Sequence, residues 1–265
     1  TKQNSKSQIQ ELSLELGYAP NSETGMLLRT GLLQVNEASQ LVLDEVYGWQ
    51  SVLENHFEFK GGFKRMSIGY LNELHPTPYS SVPNFYRKFF HDSNGTDLGL
   101  QAIADPLGSR WIFIEAGVYS GQLQRLDGEK RGKPEKVPQF ASIKSESIYH
   151  KAFATYYDAD LAFLDRTQAY GAGAYLTTFK LIPWDLELLF WSEVWQIHEI
   201  QNQGPDELSL GYFVDPQIRW WRLQVGIRTG NTTAQTGGGL RGIRLPTVHN
   251  QLLHLSIRPT DYLQL

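Results

Sequence analysis

Glu207 to Thr229 reads ELSLGYFVDPQIRWWRLQVGIRT, and its alternation decides the fold class. Leu208, Leu210, Tyr212 and Val214 recur at every second position, which places them on one face of an extended chain. Trp221, Leu223, Val225 and Ile227 do the same further on, with Trp220, Arg222, Gln224, Gly226 and Arg228 behind them. The two runs read as an antiparallel hairpin turning at Asp215-Pro216-Gln217, because proline cannot donate to a ladder. The second arm, Ile218 to Thr229, is longer than the usual strand of about 5 to 6 residues. It matches the roughly 9 to 11 residues with which a tilted strand crosses a bilayer. The pattern predicts an all-β fold, a single antiparallel β-barrel of outer-membrane type with about 12 strands.

The rhythm extends outward from this stretch. Glu11 to Tyr18 alternates Leu12, Leu14, Leu16 and Tyr18 against polar residues, and Met26 to Val35 follows as its hairpin partner after Pro20-Asn21-Ser22. Phe57 to Tyr70 reads as strand with Gly61-Gly62 as a turn or bulge, and Phe85 to His91 as a short aromatic strand. Arg110 to Tyr119 is a further strand, as is the material on both sides of Pro183 between Tyr175 and Ile200. There Trp184, Leu186, Leu188, Phe190 and Val194 take one side, and Asp185, Glu187, Leu189, Trp191 and Glu193 the other. Thr229 to Gly239 reads as a mobile glycine-rich loop before a final strand, Gln251 to Arg258. Two segments break the rhythm. Glu37 to Asn55 has the spacing of a helical stripe, and Ser145 to Leu164 fits either a helix or a strand. If both are helical, a soluble β-rich or α+β domain is the alternative fold.

Composition narrows the function classes. The 265 residues suit one domain, 1–265, since single all-β barrels and sandwiches commonly reach this size. A net charge of -4 and a pI near 6.0 argue against a nucleic-acid partner. The absence of cysteine removes disulfides and thiolate metal sites, and the scattered His75, His150, His198, His249 and His254 lack ligand spacing, so no metal and no cofactor are expected. A chain beginning at Thr1 suits a mature form whose leader has been removed, or a shortened chain. The bacterial outer membrane is the expected location, with a secreted or cytoplasmic soluble protein as the alternative. Lipid bilayer and lipopolysaccharide are the expected partners, with protein partners or a homo-oligomer open. The basic run Arg125 to Lys136 reads as a solvated loop suited to lipopolysaccharide phosphates. Inward carboxylates such as Asp185 and Glu187 are expected to pair with inward arginines such as Arg222 and Arg228.

One local motif carries chemistry. On an extended backbone His91 and Ser93 share a face, so the imidazole can accept the hydroxyl proton during attack on an ester. The same residues are turn formers, and Asn94-Gly95 is a turn signal by itself. This HDSNG, residues 91 to 95, resembles the His-x-Ser-Asn signature of outer-membrane acyl hydrolases, the phospholipase A and lipid A deacylase barrels. The resemblance spans five residues. It implies Ser93 as nucleophile, His91 as base and, for a phospholipase, calcium and a dimer. The family's Ser-Trp-Asn context is only echoed in Ser109-Arg110-Trp111, so the orienting role falls to Glu115, as a glutamate serves in the deacylases. Three classes therefore stand: a non-enzymatic structural, channel or partner-binding barrel; a lipid-ester hydrolase using His91, Ser93 and Glu115; and a soluble β-rich binding or assembly subunit, such as a carbohydrate-binding or particle-shell domain.

Overall fold

A computed structural model describes residues 11–35, 38–69, 96–121, 136–160, 166–177, 186–200, 206–221, 223–236, 243–244 and 247–257. They form one antiparallel sheet, each strand pairing with the next in sequence. Its strands are β1 (Glu11–Tyr18), β2 (Thr24–Val35), β3 (Ala38–Val52), β4 (Phe57–Arg65), β5 (Thr96–Ala104), β6 (Phe113–Tyr119) and β7 (Lys136–Glu146). They continue as β8 (His150–Asp160), β9 (Arg166–Thr177), β10 (Leu186–Ile200), β11 (Glu207–Trp220), β12 (Leu223–Thr236), β13 (Ile243–Arg244) and β14 (Val248–Ile257). β13 and β14 lie on the same side of β12, one beyond the other, so the sheet has thirteen strand positions. β1 and β14 consequently run in the same direction, and among the described residues no ladder joins them.

The polarity of the sheet is inverted relative to a soluble sandwich. In β11 the residues Glu207, Ser209, Phe213, Asp215 and Gln217 face inward, while Leu208, Leu210, Tyr212 and Ile218 are exposed. On the next strand Leu223, Val225 and Ile227 face outward, Ile227 at 57% exposure, and Gln224 and Arg228 are buried. β10 repeats this with Leu188, Phe190 and Val194 outside, Leu189, Glu193, Trp195 and Ile197 inside. A soluble fold buries its leucines and exposes its glutamates; here most of the leucines of these strands are outside and Glu193 is inside. Apolar out and polar in along strands of up to 15 residues is the wall polarity of an outer-membrane β-barrel.

Several expectations are corrected, each for a local reason. Asp215-Pro216-Gln217 is not a turn: β11 runs through it, and the connection to β12 is residues 221 and 222. The β12 ladder has no partner registered for Asp215 or Pro216, so the missing proline N–H falls in a gap. Within the segment expected as a helix, Glu37 to Asn55, the residues Ala38–Val52 are strand β3. Its register against β2 slips where Arg29 pairs Glu45 but Thr30 pairs Leu43, leaving Asp44 as an extra residue. This bulge reverses the alternation mid-strand and produces the helix-like spacing. Ser145 to Leu164 holds the end of β7, the turn at Ser147 to Tyr149 and β8. Its phase is ambiguous because Phe153 and Tyr157 are buried on the inner face while Tyr156 lies on the outer one.

Gly61 and Gly62 sit within β4, where a side chain on Gly62 would meet the Val46 carbonyl oxygen at 2.4 Å. Thr229 to Thr236 is strand rather than loop. The Arg110 to Tyr119 strand begins at Phe113. The strand expected at 85–91 lies outside the described residues.

The inner face is furnished by aromatic rings lying over glycines. Trp195 covers Gly171, Tyr119 covers Gly99 and Phe140 covers Gly117, each so close that a Cβ on the glycine would meet the ring at 2.2 to 2.5 Å. Glycine is required at these places by space, because the ring occupies the volume of the missing side chain. Met66 and Ile68, which follow β4, are buried in the same cluster as Phe140, Tyr157, Trp195 and Phe213.

Candidate functional site

Of the residues singled out for ester hydrolysis, His91 and Ser93 lie outside the described residues. Glu115 lies in β6, faces inward and is buried. Its Oε2 is 2.5 Å from the Nζ of Lys144 on β7, which is equally buried. Behind the pair Ser142 and Thr155 join hydroxyls at 2.7 Å. Glu115 is thus one half of an interior ion pair, held by adjacent strands whose register sets Phe113 beside Lys144 and Glu115 beside Ser142. Among the described residues no cluster of three or more His, Cys, Asp or Glu is placed to hold a metal ion.

The ion pair belongs to a larger arrangement on the inner face of β2 to β7. A cavity of about 260 Å³ there is lined by Arg29, Lys60, Lys64, Arg65, Arg110 and Lys144, together with the carboxylates of Glu45, Glu115 and Glu146 and the rings of Tyr47 and Phe113. Alternation explains part of the convergence: Lys60 and Lys64 of β4, Phe113 and Glu115 of β6, and Lys144 and Glu146 of β7 keep one parity within each strand, so each pair points at one space. Arg29 Nη1 meets Glu45 Oε2 at 2.7 Å and the same guanidinium binds Glu15. Glu45 also accepts the backbone N–H of Arg65 at 2.9 Å. Glu58 serves two cations, Lys60 at 3.0 Å and Arg110 at 3.7 Å, while the Arg110 guanidinium lies 5.1 Å from the centre of the Phe113 ring.

The inner face of β8 to β12 carries carboxylates bonded to aromatic and cationic side chains. Glu193 is buried and accepts the Tyr175 hydroxyl at 2.5 Å and the Trp195 indole N–H at 2.9 Å. Asp215, also buried, pairs with Arg228 through Nε at 3.0 Å and Nη2 at 2.9 Å, and the guanidinium lies over Phe213. The expected partnership of inward acids with inward arginines is therefore present with other partners: Glu187 binds Arg219 at 2.8 Å, and Arg228 binds Asp215. Asp185 and Arg222 lie outside the described residues. These bonded carboxylates satisfy buried polar groups and fix aromatic rings. They have the character of wall.

The sequence did not single out the cavity, because its residues are spread from position 29 to 146 over six strands. The signal was available in the alternation of the basic residues Lys60 and Lys64 opposite Phe57, Phe59 and Phe63. Only the register assembles it.

No protein-family model matches the chain, and no curated protein matches it. Among solved structures the chain is similar to OmpT, an outer membrane protein of Vibrio cholerae. The in-vitro folded form aligns at 10% identity over 92% of this chain and 87% of that one, with a TM-score of 0.45. The outer-membrane expressed form aligns at 10% identity over 91% and 86%, with a TM-score of 0.47, and the loop L8 deletion mutant at 10% identity over 86% of each, with a TM-score of 0.46. Nothing of those proteins' chemistry transfers to this chain at such a distance.

Proposed function

We propose that the protein is a non-enzymatic channel of the bacterial outer membrane, a β-barrel that passes small hydrophilic solutes through its interior. The observation that carries this reading is the hollow, charge-lined space on the inner face of a wall whose outer face is apolar. Charged side chains are tolerated on the inner face of such a wall because that side is wet or self-paired, while the outer leucines meet hydrocarbon. The ends of the sheet are unequal. At one end the connections are short, residues 53–56, 147–149 and 221–222, and the exposed aromatics Tyr18, Trp111, Tyr149, Trp220 and Trp221 gather there. At the other end residues 66–95 and 120–135 intervene between strands. Short turns facing the periplasm, long loops outside and aromatic girdles at the interfaces are the general habit of such barrels. The long-loop end then meets lipopolysaccharide.

Reconstitution of the folded protein into planar bilayers tests the channel. Discrete conductance steps are expected from material whose gel mobility changes on boiling. A heat-modifiable protein that gives no conductance overturns the channel. Phospholipid acyl release, assayed with calcium present, separates the hydrolase class: release that is lost in Ser93→Ala would replace the channel reading with catalysis.

A further inference from the structure

A second hollow, of about 910 Å³, lies on the outer face of the wall. Its floor is made of small residues on neighbouring strands, Gly48, Gly61, Ala102, Ala116 and Ala141. Ladder pairing puts Phe59 beside Ala102, Ala102 beside Ala116, Ala116 beside Ala141 and Ala141 beside Tyr156. The three alanines form one trough, with the Phe59 and Tyr156 rings at its ends. The next outward residues along the strands are large and exposed: Ile114 and Ile143 on one side, Leu100 and Val118 on the other. The trough is thus continuous with the apolar wall that meets hydrocarbon, and its occupant is a membrane component.

We propose that the occupant is one acyl chain of a phospholipid whose headgroup carries an ammonium. The row of paired residues crosses the strands, and strands of such walls tilt by about 35 to 45°, so the row slopes through the membrane. It starts at Thr24, beside Gln50 at the short-turn end, and climbs to Tyr156, well along β8 from His150 at that same end. An acyl chain entering at the lower interface follows this slope toward the membrane centre, in van der Waals contact over its length. A second copy fits less well: related by an axis along the membrane normal, its own sloping rows cross this one.

The lower end carries polar groups for a headgroup. Thr24 Oγ1 donates to Gln50 Oε1 at 2.7 Å, and Gln50 Nε2 donates one N–H to the Ser51 carbonyl at 2.9 Å. The second amide N–H suits an ester or phosphate oxygen. Glu23 and Glu54, exposed in the adjoining turns, offer carboxylates to an ammonium. Nearby, Lys60 and Arg110 are matched by Glu58 and Asp105, so the two turn carboxylates remain in excess. With the short turns toward the periplasm, this end lies in the phospholipid leaflet; the proposal rests on that orientation and not on conduction.

The test is native mass spectrometry of the full chain extracted from membranes in mild detergent, then offered phosphatidylethanolamine and phosphatidylglycerol with identical acyl chains. One phospholipid is expected to stay bound, phosphatidylethanolamine in preference. Ala116→Leu/Ala141→Leu fills the trough and is expected to lose the lipid while its gel mobility still changes on boiling. Phe59→Ala, which opens one end, is expected to weaken retention and serves if the filled variant does not fold. Glu23→Gln/Glu54→Gln is expected to keep the lipid and lose the preference. A lipid-free protein, or a bound phospholipid unmoved by both trough variants, overturns the site. Equal retention of the two lipids by the unaltered protein overturns the ammonium assignment. A dimer that the filled variant dissolves replaces the lipid with a second copy. Lipid A held in the trough overturns the leaflet and the orientation with it, while conductance, read separately, bears on the channel alone.

Discussion

At the scale of single residues the interior is built from pairs that can be broken one at a time. A Cβ on Gly171 meets the Trp195 ring at 2.2 Å, and Trp195 is itself held by Glu193. The ring cannot yield without losing its indole hydrogen bond. Gly171→Ala is therefore expected to destabilise the protein by about 1 to 3 kcal/mol, the range for overpacking. Gly17, which has open space around it, provides the comparison: Gly17→Ala should leave the unfolding midpoint close to that of the parent. Thermal unfolding of both variants in detergent reads the difference. The Glu115 and Lys144 pair makes the second case. Removing one member of a buried pair typically costs about 3 to 5 kcal/mol, while replacing both by apolar residues is often neutral. Glu115→Ala should accordingly unfold well below the parent, and Glu115→Leu/Lys144→Met should recover most of the loss. A double variant as unstable as the single one would show that Glu115 matters for something besides its lysine.

Strands are the scale at which the sequence was most legible. Alternation makes β1 and the faces of β11 and β12 legible, and the faces inferred for Leu208 to Val214 and Leu223 to Ile227 are those observed, although Pro216 disguises the middle of β11 as a turn and the glycine, threonine and asparagine residues after Arg228 disguise the end of β12 as a loop. β3 was misread because one extra residue, Asp44, reverses its phase. A bulge is invisible to a period-2 pattern until the neighbouring strand is known. β8 was ambiguous for a different reason, since aromatic residues serve both its faces. The cavity was legible only in the parity of Lys60 and Lys64, because parity tells which residues face inward but not which strands bring them together. The outward face yields a further prediction. A charge at the lipid-facing midplane costs about 2 to 4 kcal/mol, so Ile227→Arg should fold poorly into lipid vesicles, whereas Ile227→Ala should fold nearly as the parent does. Equal folding yields for the two would mean that this face does not meet hydrocarbon.

The whole molecule raises the question of its two edges. Unpaired strand edges are not tolerated in hydrocarbon, where backbone N–H and C=O groups find no water. β1 and β14 are the edges, and their outward leucines, Leu14, Leu16, Leu253 and Leu255, are exposed. Because the two strands run alike, a direct seam between them is a parallel ladder, with slanted and slightly weaker hydrogen bonds. The chain contains no cysteine, so introduced pairs report cleanly. Cysteines at one of Leu14 and Leu16 combined with one of Leu253 and Leu255 are expected to cross-link in the folded protein, with the best partner moving in the same direction on both strands. Absence of any cross-link in folded material would place another strand between the edges.

An odd number of wall positions has one more consequence. The chain enters β1 at Glu11, at the end of the wall that carries the long connections, and leaves β14 at Ile257, at the end with the tight turns. Entry and exit are therefore on opposite faces of the membrane. An epitope inserted directly before Glu11 should be reached by antibody on intact cells, while one placed directly after Ile257 should be reached only once the cells are opened. The same wall would thus serve as a display scaffold at its first strand and as a periplasmic tether at its last.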